Sequence, residues 1–80
     1  MGHHILSTAA WKAFRAGLIA EWRAAPEVRC HLCLRSIPVG QTISVDHLQP
    51  LSRRPDLAFD RRNVLPSHIR CNSAKKDRTR

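Results

Sequence analysis

The chain has no tyrosine, only three glycines, and aromatic residues at 5% of its 80 positions, two Trp and two Phe. So few large apolar side chains, spread along the chain and not gathered in one block, argue against a roomy internal pocket. No apolar stretch reaches the about 18 residues that would suggest a membrane helix. No charged segment leads into an apolar signal core. Neither a membrane span nor secretion is therefore expected, and the chain reads as intracellular, that is cytoplasmic. Cysteine is scarce and odd in number, three in all, and in a reducing compartment these cannot all pair as disulfides. Acidic residues are few as well, six against fourteen basic ones.

That imbalance leaves a net charge of +8, and 11 of the 14 bases are Arg, the residue suited to bidentate phosphate contact. A polyanionic partner is expected. A basic surface serving only solubility is the plainer alternative, and an acidic membrane surface fits less well. Charge is uneven: residues 1–40 carry five bases and two acids, residues 41–80 nine and four. The binding face accordingly belongs to the second half. A chain of this length buries only about 60% of the surface its unfolded form exposes. It reads as one domain with a marginal core that needs a staple.

Ser7 or Thr8 can cap a helix, expected over 7–25, that Pro26 would end. Within it Trp11, Phe14, Leu18 and Trp22 recur on one face, and this apolar stripe reads as core and not as a base-stacking surface. Lys12, Arg15 and Arg23 lie beside the stripe, as a solvated face in preference to an auxiliary phosphate contact. Cys30-His31-Leu32-Cys33 makes a tight knuckle, followed by a turn at Pro38-Val39-Gly40. From Thr42 to Leu48 the alternation of Ile43 and Val45 with Ser44 and Asp46 predicts a strand. Gln49 to Arg62 carries two arginine pairs, Arg53-Arg54 and Arg61-Arg62, and no trusted periodicity, so it is expected to be a basic loop. Asn63-Val64-Leu65 fits a short returning strand that ends at Pro66. A second helix is expected from His68 to about Asp77, with a basic tail over 77–80. His3 and His4 are set aside, since native residues and an added segment look alike there.

Two ligand-type pairs stand out. Zinc takes four tetrahedral thiolate or imidazole ligands, and two-residue spacings bring neighbours onto one ion. Cys30-x2-Cys33 and His68-x2-Cys71 are such pairs, the second expected on one helix face. The 34 residues between them exceed a small finger, so a further structural unit must fold between the halves of the site. A pair of buried or redox-active thiols is the competing reading for Cys30 and Cys33. For His68 the competitor is a helix-surface histidine, with His31 as the other fourth ligand. His31 suits less, because a residue inside such a knuckle points away from the ion its flanks bind. Four protein ligands make a closed, structural site.

Phosphodiester cleavage needs a base to activate water, a cation for the transition state and leaving oxygen, and cationic groups to seat the backbone. Asp46 and His47, neighbours on a strand, point to opposite faces. The carboxylate can bind metal while the imidazole, with an ordinary pKa of about 6.5, addresses water. In order, Cys30-x2-Cys33, Val45-Asp46-His47-Leu48-x-Pro50-Leu51, Asn63-Val64-x-Pro66 and His68-x2-Cys71-Asn72-x2-Lys75 closely resemble the HNH endonuclease family. Its signature is a ββα-metal motif flanked by two zinc-binding pairs. The resemblance covers Cys30 to about Lys76 and leaves the N-terminal helix outside.

It implies His47 as general base, Asp46 as a ligand of the catalytic divalent ion, and Asn63 as the residue whose amide braces the loop between the strands. Asn72 takes the remaining ligand position. The family's commonest last residue is His, so Asn72 makes this a His-Asn-Asn variant, and its harder amide oxygen should favour Mg²⁺ or Mn²⁺. His68 stands where the family usually has cysteine. Lys75 matches a basic position at the helix end that could contact phosphate.

These readings predict an α+β domain, an N-terminal helix over a zinc-stapled ββα-metal core at 30–76. Its activity would be metal-dependent DNA cleavage, with Arg53, Arg54, Arg61 and Arg62 seating the backbone or merely forming a solvated loop. The rivals are a non-catalytic zinc-dependent DNA-binding module and an accessory nuclease active only within a larger complex such as a phage terminase.

Overall fold

The computed structural model describes residues 8–78. Ser7, His3, His4 and the last two residues of the basic tail lie outside the described residues. Two helices flank a two-stranded antiparallel sheet: α1 (Ala9–Ala24), β1 (Ile43–His47), β2 (Val64–His68) and α2 (Ile69–Arg78). This is the α+β, ββα architecture expected. Among the described residues no helix is long and apolar enough to cross a membrane.

The Thr8 hydroxyl caps α1 by accepting from the Trp11 N–H at 3.1 Å, which satisfies one of the orphan donors of a helix start. The helix ends at Ala25, extended at φ −71°, ψ 153°, because the residue before Pro26 is sterically barred from helical backbone. Trp11 and Leu18 are buried, while Phe14 and Trp22 are half-buried. Trp22 and Ile19 pack on the core of Val28, Cys30, Ile37 and Ile43. Arg23 is neither a solvated face nor a phosphate contact. Its guanidinium donates to the carbonyls of Ile37 (2.7 Å), Pro38 (2.9 Å) and Gln41 (2.7 Å). The rigid five-donor fork of arginine suits such a clamp, and it ties α1 to the turn that leads into β1.

Val28 to Ile37 folds back on itself through an Arg29–Ser36 bridge, with the Ile37 N–H on the Val28 carbonyl at 2.9 Å. The Cys30-x2-Cys33 knuckle is the tip of this loop. Leu34 closes it with φ 68°, in the left-handed region that a Cβ disfavours by about 1–2 kcal/mol.

The strands pair from Ile43 opposite His68 to His47 opposite Val64. Pro66 lies mid-strand opposite Val45, where a short strand ending at Pro66 was expected. The Leu48 N–H bonds the Asn63 carbonyl at 2.8 Å, and the Pro66 carbonyl accepts from the His31 N–H at 2.9 Å. Pro66 therefore occupies an outward-facing slot, where its missing N–H breaks no ladder bond. The strand runs on to His68, so α2 begins one residue late, at Ile69. His68 and Cys71 consequently come from a strand end and a helix turn, not from one helix face.

Gln49 to Arg62 is more ordered than its lack of periodicity suggested. It holds 3-10 turns at Pro55–Leu57 and Arg61–Asn63, and buries Ala58 to 1% exposure. Asp60 caps the second turn by accepting from the Arg62 N–H at 2.9 Å.

The sheet has two faces with different neighbours. Ile43, Val45 and His47 share one with Val64, Pro66 and His68, and there Ile43 joins the apolar core and His47 meets α1. Ser44 and Asp46 share the other, which α2 meets through Asn72 and Lys75.

Leu34 is 67% exposed, so its replacement by glycine removes little packing. Leu34→Gly should raise stability by up to about 1 kcal/mol, the backbone strain relieved less the extra entropy that glycine loses on folding. A lower melting temperature for this variant would show that the Leu34 side chain stabilises the knuckle.

Candidate metal centre and active site

Cys30 and Cys33 from the knuckle, His68 from the end of β2 and Cys71 from α2 converge on one point. Their ligand atoms all lie within 4.8 Å of one another. The His68 Nδ1 is 3.4 Å from the Cys33 sulfur and 3.8 Å from the Cys71 sulfur. Tetrahedral zinc, with Zn–S of about 2.3 Å and Zn–N of about 2.0 Å, sets sulfur and nitrogen roughly 3.5 Å apart, so the four residues could hold a zinc ion. The His68 Nε2–H donates to the Ser36 carbonyl at 3.1 Å, which leaves the lone pair on Nδ1, facing the sulfurs. His68, not His31, is the fourth member.

The thiols are poised unequally. Burial works to raise Cys30, but the N–H groups of Cys33, His68 and Leu32 and the His68 side chain outweigh it and bring it down to about 6. Burial, hydrogen bonding to Cys30 and Cys33, and their charge push Cys71 up to about 11. A zinc ion bound here would hold its sulfur ligands as thiolates, and its charge would offset their mutual repulsion.

Asp46 is 4% exposed. Its Oδ2 lies 2.6 Å from the His31 Nε2 and accepts from the Lys75 ammonium at 2.8 Å. Lys75 also reaches the His47 carbonyl at 3.3 Å. Asn72 stands one helical turn before Lys75, and its Nδ2 donates to the Ser44 hydroxyl at 2.8 Å. Since Ser44 and Asp46 share a face, α2 lays Asn72 and Lys75 along the same side of β1. The Asn72 Oδ1 is buried without a hydrogen-bond partner among the described residues, a deficit of about 1–3 kcal/mol that a cation or donor would remove. A buried carboxylate and an unsatisfied amide oxygen on one face are a donor set that fits a hard divalent ion.

His47 points the other way. Its ring packs on Trp11 with centroids 5.2 Å apart, and its Nε2–H donates to the Ala58 carbonyl at 3.2 Å. That bond puts the proton on Nε2 and the lone pair on Nδ1. Trp11 also meets Phe14 at a tilt and Phe59 edge-on, at 5.7 and 6.1 Å, so α1 and the inter-strand loop meet beside the imidazole. The Asn63 side chain bonds the Gln49 backbone twice. Its Oδ1 accepts from the Gln49 N–H at 2.8 Å, and its Nδ2 donates to the Gln49 carbonyl at 3.3 Å. It thereby closes the loop that carries Ala58.

Of the four loop arginines, three meet acids: Arg54 with Asp56 at 2.8 Å, Arg62 with Asp60 at 3.2 Å, and Arg61 with Glu21 on α1. All three pairs are open to solvent, where water and salt weaken them enough for a phosphate to displace the acid. The Arg53 side chain makes no hydrogen bond or ion pair among the described residues.

Sequence reasoning did not foresee the contacts of His31, Trp11, Ala58 and Ser44 with the three site residues. For Lys75 a signal existed, because three-residue spacing from Asn72 puts it on the same helix face. Its place inside the knuckle already turned His31 away from the cluster, but its meeting with Asp46 had no signal, being set by docking of the knuckle onto Pro66.

A family model described as HNH endonuclease matches residues 30–78, more than half the chain. The chain belongs to the HNH endonuclease family. No curated protein and no solved structure matches it. The matched HNH segment contains both strands, α2 and all four residues of the cysteine and histidine cluster, while α1 lies outside it.

A zinc ion at the cluster should contribute much of the folding free energy, as in other small metal-stapled domains. The purified chain should contain one zinc per molecule, and chelation or Cys71→Ser should abolish its cooperative thermal transition. A chelated, zinc-free chain that keeps its circular dichroism and melting temperature would rule out a structural zinc.

Proposed function

We propose that the chain is a metal-dependent DNA endonuclease of the His-Asn-Asn type, its 80 residues forming one HNH nuclease domain, with His47 as general base. The observation that carries this is the orientation of His47. A module that only binds DNA has no use for an imidazole whose Nε2–H is fixed on the Ala58 carbonyl and whose ring is held by Trp11. An oriented Nδ1 lone pair is what a base needs to take a proton from water. Histidine is largely neutral near physiological pH, which suits it to that task.

The other residues take complementary roles. Asp46 and Asn72 would hold one divalent ion, Mg²⁺ or Mn²⁺. When bound, such an ion stabilises negative charge on phosphate and leaving oxygen. Asn63 holds the loop, and so the Ala58 carbonyl, in place against His47. Arg54, Arg61 and Arg62 seat the backbone by exchanging their acid partners for phosphates, and Arg53 by adding a phosphate contact of its own, contacts that carry no base sequence. Lys75, released from Asp46, would reach phosphate too. The structural zinc holds the fold and takes no part in the reaction.

The test is nicking of supercoiled plasmid by the zinc-loaded chain with Mg²⁺ or Mn²⁺ and with EDTA. Metal-dependent nicking is expected, and its absence at any protein concentration, alone or with a larger DNA-processing complex, would leave a DNA-binding module. His47→Ala should reduce cutting by at least about a hundredfold while folding and DNA binding persist; normal cutting by this variant would remove His47 from the base role. Asn72→His should keep activity and shift the preferred ion toward softer metals, so complete loss with the fold intact would count against Asn72 as a ligand.

A further inference from the structure

His31 sits inside the zinc knuckle, yet its side chain belongs to the other site. Its N–H is anchored on the Pro66 carbonyl at the outer edge of β2, and from there the imidazole reaches across the sheet to Asp46 on β1, 2.6 Å from Oδ2. Charge balance does not require it there. The same carboxylate oxygen already accepts the Lys75 ammonium at 2.8 Å, and that pairing alone neutralises Asp46. A second nitrogen on one buried carboxylate oxygen, on the side of β1 where the Asn72 amide oxygen is buried with no partner among the described residues, is excess coordinating capacity. Three separate elements deliver it: the knuckle, β1 and α2.

We infer that His31, through Nε2, is a further protein ligand of the divalent ion held by Asp46 and Asn72. This rests on the ion-dependent reading of the preceding subsection and deepens it. The set would then be one imidazole, one carboxylate and one amide oxygen, facing the position that the Lys75 ammonium now occupies. Lys75 is the group that leaves, because its side chain is 28% exposed against 18% for His31 and its flexible stem can carry the ammonium elsewhere.

Two consequences follow from the chemistry. An imidazole among oxygen donors moves the preference from Mg²⁺ toward Mn²⁺ and the later first-row ions. Because His31 lies between Cys30 and Cys33, the zinc cluster fixes its position, and the structural site would hold a ligand of the catalytic one.

The experiment is pulsed electron paramagnetic resonance of Mn²⁺ bound to the full, zinc-loaded chain, together with Mn²⁺ affinity by titration. Zinc keeps His68 from binding Mn²⁺. The expected result is a directly coordinated ¹⁴N signal that survives in His47→Asn and disappears in His31→Gln. Mn²⁺ affinity should fall on the order of tenfold or more in His31→Gln, with zinc content unchanged. Should that variant fail to fold, the wild-type and His47→Asn spectra still decide the matter. Mn²⁺ that binds and supports cutting without nitrogen coupling, or coupling that persists in His31→Gln, overturns the His31 assignment alone. A wild-type chain that binds no Mn²⁺ overturns both this inference and the ion-dependent function.

Discussion

The convergence of Cys30, Cys33, His68 and Cys71 is the constraint on which the rest of the structure depends. Two ligand pairs 34 residues apart must bring their donor atoms within 4.8 Å of one another. Everything between them is obliged to leave the knuckle, run out along β1, turn, and come back along β2 to the same point. A two-stranded sheet in isolation is marginal in water. Here it is closed at one end by the cluster and at the other by Asn63, whose amide bonds the Gln49 backbone on both sides. The apolar core of Val28, Cys30, Ile37 and Ile43 is small, and its cysteine is also a ligand, so core and cluster stand or fall together.

The same closure sorts chemistry between the faces of one strand. Strand alternation turns Asp46 toward α2 and His47 toward α1. Helical rotation separates Cys71 from Asn72 in the same way, one joining the sulfur cluster and the other meeting Ser44. Adjacent residues thus serve a structural and a chemical site at once, and small displacements of either strand or helix would disturb both. The helix α1, outside the matched HNH segment, is tied in by the Arg23 clamp on three carbonyls and by Trp11 against His47. In a chain of net charge +8, acids are used sparingly. Glu21, Asp56 and Asp60 meet loop arginines at the surface, where water and salt weaken the pairing, while Asp46 is buried among groups placed to answer its charge.

Much of this was legible in the sequence, for identifiable reasons. Thr8, Pro26, the Trp11 to Trp22 stripe and the β-branched alternation around Val45 are local signals, and the helix and strand they mark formed within a residue or two. The two-residue spacings of the cluster are also local signals, although His68 reaches its place at the end of a strand paired with Ile43 and not on one helix face with Cys71. The order of motifs from Cys30 to Lys75 pointed to the family that the match at residues 30–78 shows. The strand end was missed because the cost of proline in a sheet depends on which way its nitrogen faces. At Pro66 that direction is fixed by pairing with a strand 21 residues earlier, at Val45. The start of α2 moved with it.

What the sequence by itself determined, then, is the inventory: which residues could ligate, which could act as a base, and which elements would carry them. Only the tertiary structure decided how they are shared. It oriented His68, already the expected fourth member, through the Ser36 carbonyl and sent His31 to Asp46. It also placed Trp11 and Ala58 in contact with the reaction's candidate base. The physical reason is that a histidine's identity fixes what its nitrogens can do, while the partner each nitrogen meets depends on chain segments far away in sequence. His31 and His68 are 37 residues apart, offer the same atoms, and differ only in what the fold puts in front of them.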